Sequence, residues 1–215
     1  MFRKTCCTLV FMAATGLVAK TFATPIQFTH RGVGRGTLHN TVFFETPFTI
    51  MAIGDTASRE PGLPHLSVWS IDHSSAQIEI EEMGTFTFTT PTRTFVHTET
   101  GAVGFSGASV RGLDLFNGPR SEALSDWNML TSIGPISGVG LLIQWQAAPI
   151  RTSAGLLHFE FDANVPATFQ AVIIPEPSSI ALAAICLLIA GRPKAPIAPS
   201  PRPGFEARGG RRLGR

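Results

Sequence analysis

The sequence predicts an all-β chain: an antiparallel β-sandwich or jelly-roll-like domain between an N-terminal signal peptide and a C-terminal short transmembrane helix. Three observations carry this. Short runs alternate apolar and polar residues, as in Thr85, Phe86, Thr87, Phe88 and Thr89. Successive side chains on a strand point to opposite faces, so such a run buries one face and wets the other. Clusters of Gly, Pro, Asn and Asp punctuate these runs at turn spacing. Charged residues make up only 15% of the chain, while Gly (21), Pro (16) and Phe (16) are plentiful. That balance favours strands and turns over long surface helices.

Residues 1–23 have the order of a secretory signal peptide. Arg3 and Lys4 supply positive charge, residues 5–19 are mostly apolar, and Thr21 and Ala23 are small residues before a cut at Thr24. Cys6 and Cys7 precede the apolar core, which argues against lipoprotein attachment. Cys186 lies in the second apolar segment, and residues 24–174 contain no cysteine. This middle region therefore has neither a disulfide framework nor a Cys-ligated zinc site, and its fold rests on core burial.

Residues 24–174 form the expected ectodomain. Gln77, Ile78, Glu79, Ile80 and Glu81 alternate, and residues 157–162 place Leu157, Phe159 and Phe161 on one inward face. Further runs over 41–45, 48–53, 66–71, 93–98, 109–116, 140–146 and 168–174 predict strands. Turns are expected at 54–55, 60–62, 117–119 and 163–166. Half-polar alternation implies antiparallel sheets with one wet face. One short helix is expected within 120–130, with Ser121 as its N-cap.

Charge is segregated. Between Thr24 and Ser179, seven arginines oppose fourteen carboxylates, a net charge of −7, whereas the tail beyond Arg192 is basic. An acidic domain without a basic stripe excludes nucleic acid as its expected partner.

The search for chemistry yields little. No two of His30, His39, His65, His73, His97 and His158 stand at metal-ligand spacing. Asp72–His73 reads as a strand end entering a loop. Gly104, Phe105, Ser106 and Gly107 approach a nucleophile elbow but read as a Gly-rich bend. Glu79 and Glu81 belong to a solvated strand face. Asp162 and Asn164 offer hard oxygens to a calcium ion, the one candidate cofactor, although no contiguous Asp-rich loop is present. Trp69 and Trp145 share strand faces with apolar residues and are expected in the core. Trp127 has polar neighbours and is the candidate ligand-binding aromatic.

Residues 175–192 have their own order. Pro175, Glu176 and Pro177 end the last strand, because proline cannot donate to a ladder. Ser178 and Ser179 can cap a helix, the run 180–190 is apolar, and Gly191 and Arg192 follow. Thirteen helical residues from Ser178 span roughly 20 Å, short of a hydrocarbon core of about 30 Å. Arg192 and Lys194 would supply the membrane-stop charge. Residues 193–215 are a basic, Pro/Gly-rich tail that forms neither helix nor ladder.

This arrangement resembles the PEP-CTERM sorting signal: Pro-Glu-Pro, an apolar helix, then basic residues. The resemblance implies that an exosortase-type membrane enzyme recognises Pro175, Glu176 and Pro177 and processes the chain near them. It also implies export, transient membrane anchoring, and a place at the cell surface or in extracellular polysaccharide. Residues 125–135 and 167–172 are similar to secreted proteins of the planctomycete type that carry this signal. In that class the chain normally ends soon after an arginine cluster, whereas here Pro193 intervenes and more than twenty residues follow Arg192.

The expected function is that of a non-enzymatic exported surface or matrix protein, sorted and processed through its C-terminal signal. A carbohydrate-binding β-sandwich module, with Trp127 or loop acids and calcium at its site, is the alternative. A hydrolase whose site is assembled from distant strands is the third reading.

Overall fold

The strand that organises the domain is one that hydrophobic alternation does not reveal. A computed structural model describes residues 24–62, 67–109, 112–147 and 150–175. The expected signal peptide, Glu176, Pro177, the expected apolar helix, Arg192, Lys194 and the expected tail lie outside the described residues. The first strand, β1 (Pro25–Leu38), buries Ile26, Phe28, His30, Gly32, Gly34, Gly36 and Leu38 on one face. The period of two is intact, but a histidine and three glycines occupy the middle of the inner face, so the apolar signal disappears.

The remaining strands are β2 (Thr41–Asp55), β3 (Glu60–Pro61), β4 (Val68–Ile80), β5 (Gly84–Thr87), β6 (Thr92–His97), β7 (Ala102–Gly107), β8 (Asp114–Arg120), β9 (Ile133–Leu142), β10 (Ile150–Thr152), β11 (Gly155–Phe159) and β12 (Asp162–Ile173). All pairings are antiparallel. The order β1-β12-β9-β8-β7-β6-β4-β2 returns to β1, because β1 also pairs with β2 from Pro25↔Asp55 to Leu38↔Thr41. The sheet is thus a closed eight-stranded antiparallel barrel, in place of the two packed sheets expected. Closure removes the edges that an open sheet would expose. The short strands β3, β5, β10 and β11 extend the wall beyond this ring.

The barrel interior is solid. Eight strands leave a space that side chains just fill. Phe28, Phe105, Phe116, Phe159 and Phe169 are fully buried there with Ile26, Ile50, Ile71, Ile78 and Ile80. The glycines of β1 make room for this bulk. A Cβ at Gly32 would lie 2.7 Å from the Phe48 ring, and one at Gly34 would lie 2.8 Å from the Phe159 ring. Small residues on one strand against large ones opposite is how small barrels fill their bore.

Several local expectations are corrected. The runs at 41–45 and 48–53 are parts of β2, bent by a register shift opposite Gly34 and Gly36. Residues 117–119 are part of β8, and 163–166 are part of β12. The Gly104–Gly107 stretch is strand β7, with Ser106 buried, and not a bend. Asp72 and His73 sit inside β4 and not at a strand end. The expected helix is only one turn, α1 (Glu122–Ser125), where the Ser121 hydroxyl accepts the Ala123 N–H at 3.3 Å. β12 stops at Ile173, two residues before exposed Pro175. Among the described residues no helix is long and apolar enough to cross a membrane.

Candidate functional site

Strands β11 and β12 both pair with the same edge of β1, one after the other. Phe159 faces Gly36 and Ala167 faces Gly32, so four steps on β1 are opposed by eight on the other side. The surplus chain leaves β1 and pairs with β9 instead, Asp162 facing Leu142 and Val165 facing Gly140. The seam therefore splits. A groove of about 520 Å³ opens there, lined by Val33, Gly34, Arg35, Phe44, Glu45 and residues 161–166.

This split presents aromatic rings to solvent. Phe44 is 64% exposed and Phe161 is 66% exposed. The sequence places Phe161 inward by continuing the alternation of Phe159. The chain instead breaks between β11 and β12, which resets the period and turns Phe161 out. Arg35 lies between the strands that carry the two rings. Its Nε pairs with Glu160 Oε2 at 2.9 Å, and its carbonyl accepts the Glu160 N–H, also at 2.9 Å. Glu45 has φ of 47°, a conformation uncommon outside glycine, at the register shift that turns Phe44 outward. The Asp162 Oδ1 accepts the Asn164 N–H at 3.0 Å within the register shift between Asp162 and Val165. Glu45, Asp162 and Asn164 thus place hard oxygens on one groove, although among the described residues no three His, Cys, Asp or Glu side chains gather as a metal site.

A second groove, of about 490 Å³, runs over β6 to β9. Phe95, His97, Asp114, Asn117 and Arg120 line it, with Ala102, Gly118 and Gly140 as its small residues. The Asn117 amide donates to Asp114 Oδ2 at 3.1 Å. Burial pushes the Asp114 carboxyl up, opposed by that hydrogen bond and by His97. His97 Nδ1 and Asn117 Oδ1 are buried without a partner.

Of the tryptophans, Trp127 departs from expectation. Trp127 is not an exposed platform. It is 4% exposed, its ring lies 5.5 Å from that of Phe169, and its Nε1–H donates to the Thr131 carbonyl at 2.8 Å. Its polar sequence neighbours belong to the turn that folds it inward. Trp145 is in the core, donating to the Leu115 carbonyl at 2.6 Å. Trp69 is half-buried, with the Arg59 guanidinium 4.2 Å from its ring centre. Glu79 and Glu81 face solvent. Of Pro175, Glu176 and Pro177, only Pro175 is described, and it is exposed.

Compared with known proteins, the chain matches no family model, no curated protein and no solved structure.

Proposed function

We propose that this chain is an exported, non-enzymatic surface or matrix protein whose barrel binds glycan at the split seam. The address comes from the sequence: a signal peptide at one end and a segment resembling the PEP-CTERM signal at the other. That segment would be read at Pro175, Glu176 and Pro177 by an exosortase-type membrane enzyme, with Arg192 and Lys194 holding the transient membrane stop.

One observation carries the binding role: two solvent-facing rings, Phe44 and Phe161, stand in one groove with Arg35, Glu45, Asp162 and Asn164. Flat apolar faces beside fixed donors and acceptors match the alternating C–H and hydroxyl faces of a sugar ring. Exposed aromatics of this size are otherwise unfavourable in water. The test is a glycan array probed with the wild-type chain and with a Phe44→Ala/Phe161→Ala double variant. Binding that falls at least tenfold in the variant supports the reading. An array with no signal, or a signal indifferent to both substitutions, overturns it. Running the array with calcium and with a chelator assigns or removes a bridging ion on Asp162 and Asn164.

A further inference from the structure

The two grooves on the barrel wall are neighbours. Ala163 lines both. Val139 and Gly140 of β9 line the second groove, and their cross-strand partners Pro166 and Val165 of β12 line the first. Directly paired residues on adjacent antiparallel strands have Cα atoms only about 5 Å apart. A ligand seated on Phe44 and Phe161 therefore reaches the second groove by crossing the irregular start of β12 at Asp162–Asn164.

The second groove is built as a trench. On β7, Ala102 and Gly104 alternate on the outer face between Val103 and Phe105, which point into the core. Gly104 makes room for its neighbours, since a Cβ there would lie 2.6 Å from Asn117 Oδ1. The taller walls are Phe95 and His97 on one side and Val139, 62% exposed, on the other. Beneath the trench His97 Nδ1 and Asn117 Oδ1 are buried without partners, while the part-buried Asp114 carboxyl and exposed Arg120 line it. A carboxyl and a guanidinium beside an apolar wall are what a hydroxyl-rich chain matches, directly or through a water it carries. Charge narrows the class. Glu45, Asp114 and Asp162 line the two grooves, against Arg120 and an Arg35 already paired with Glu160. An anionic polysaccharide would be repelled there.

We infer that the split-seam groove and the trench are consecutive subsites for one extended, uncharged glycan, with Phe44 and Phe161 holding one end and Phe95, His97 and Asp114 holding the other. This rests on the glycan reading of the split seam. Affinity then rises with chain length until both grooves are filled.

The test is calorimetric titration of the full chain with cello- and chito-oligosaccharides of two, four and six sugars. At least a tenfold gain in affinity is expected from the dimer to the hexamer. Ala102→Leu raises the trench floor while leaving every polar group in place. It should abolish that gain and leave dimer affinity unchanged, and His97→Ala should reduce the gain. Equal affinity at all lengths, or a length-dependent gain that survives Ala102→Leu, overturns the extension and leaves the platform standing. Absence of binding at every length overturns both readings.

Discussion

His30 and His73 are joined through a single atom, the Thr94 hydroxyl oxygen, at 3.1 Å from His30 Nε2 and 2.9 Å from His73 Nε2. The other nitrogen of His73 meets the Thr92 hydroxyl at 2.9 Å, while His30 Nδ1 has no partner. A bare lone pair is a cheaper orphan than a buried N–H, so His30 is assigned as the Nε2–H tautomer donating to Thr94. Thr94 then donates to His73 Nε2, and the His73 Nδ1–H donates to Thr92. His30 is fully buried among Phe105, Phe116 and Phe169, and the ring of Phe105 stacks on His73. Both rings are held neutral inside the barrel.

Acid should therefore unfold this domain. Burial holds His30 down to about 3, and burial, with the nearby His30 and Arg93, holds His73 well below its ordinary 6.5. An unfolded chain binds these protons below about pH 6.5, while the folded chain refuses them. Stability from this source is complete above that pH and is lost as pH falls towards 3, by about 1.4 kcal/mol per pH unit for each proton. Thermal unfolding from pH 7 to pH 4 checks this. His30→Gln, neutral throughout, should flatten the slope by about one proton's worth.

The glycine stripe of β1 should be intolerant of any side chain, in a graded way. A Cβ at Gly36 would meet the carbonyl oxygen of His158 and come within 2.9 Å of Phe159 Cα, both backbone atoms. One at Gly32 would meet only ring atoms of Phe48 and Phe116. Rings shift more easily than a paired strand. Gly32→Ala should cost about 1–3 kcal/mol and Gly36→Ala more. Denaturant midpoints order the two.

Trp127 separates core from site. Trp127→Ala should cost about 3–5 kcal/mol of stability, as for other buried aromatics. It should leave glycan affinity unchanged in the fraction that remains folded. Loss of binding in a folded Trp127→Phe variant would return this residue to the site.

The address is tested at the other end of the chain. Replacing Pro175, Glu176 and Pro177 with alanine should cause an uncleaved, membrane-bound form to accumulate in the native host, seen as a larger mass in the membrane fraction. Normal processing of that variant would remove the sorting reading and leave the barrel's binding role untouched.

Glycan should be held without being cut. Glu45 and Asp162 line the same groove, and paired carboxylates flanking a glycosidic bond are the machinery of glycoside hydrolysis. Incubation with each bound glycan should release no reducing ends. If ends appear and Glu45→Gln or Asp162→Asn abolishes them, the protein is a hydrolase and these are its acid and base.

The strands were legible wherever apolar residues alternate with polar ones, as in Ile78 and Ile80 of β4 or Phe48 and Ile50 of β2. They were illegible where the inward residue is small. Ile26 and Phe28 start a period that His30, Gly32, Gly34 and Gly36 continue, and counting buried glycine as a core residue would have exposed β1. Gly107, inward after Val103 and Phe105, concealed the end of β7 in the same way. Barrel closure could not be read locally, because an inward Phe looks alike in a sandwich and a barrel. What differs is that β1 and β2, the two ends of that eight-strand order, pair with each other. The site was missed for a related reason. Phe161 follows Phe159 by two residues, and only the long-range pairing of Asp162 with Leu142 shows that the alternation is interrupted.

Closure has one more outcome. Ile26 faces Ile173, and the Ile174 N–H donates to the Pro25 carbonyl at 2.8 Å, so the domain's first and last residues leave the barrel side by side. Arg35 lies ten residues along β1 from Pro25, roughly 30 Å at strand rise. Within the barrel, the paired ends of β1 and β12 and the split seam thus lie towards opposite ends of β1. One strand's length therefore separates the place where the chain enters and leaves the barrel from the exposed rings of Phe44 and Phe161.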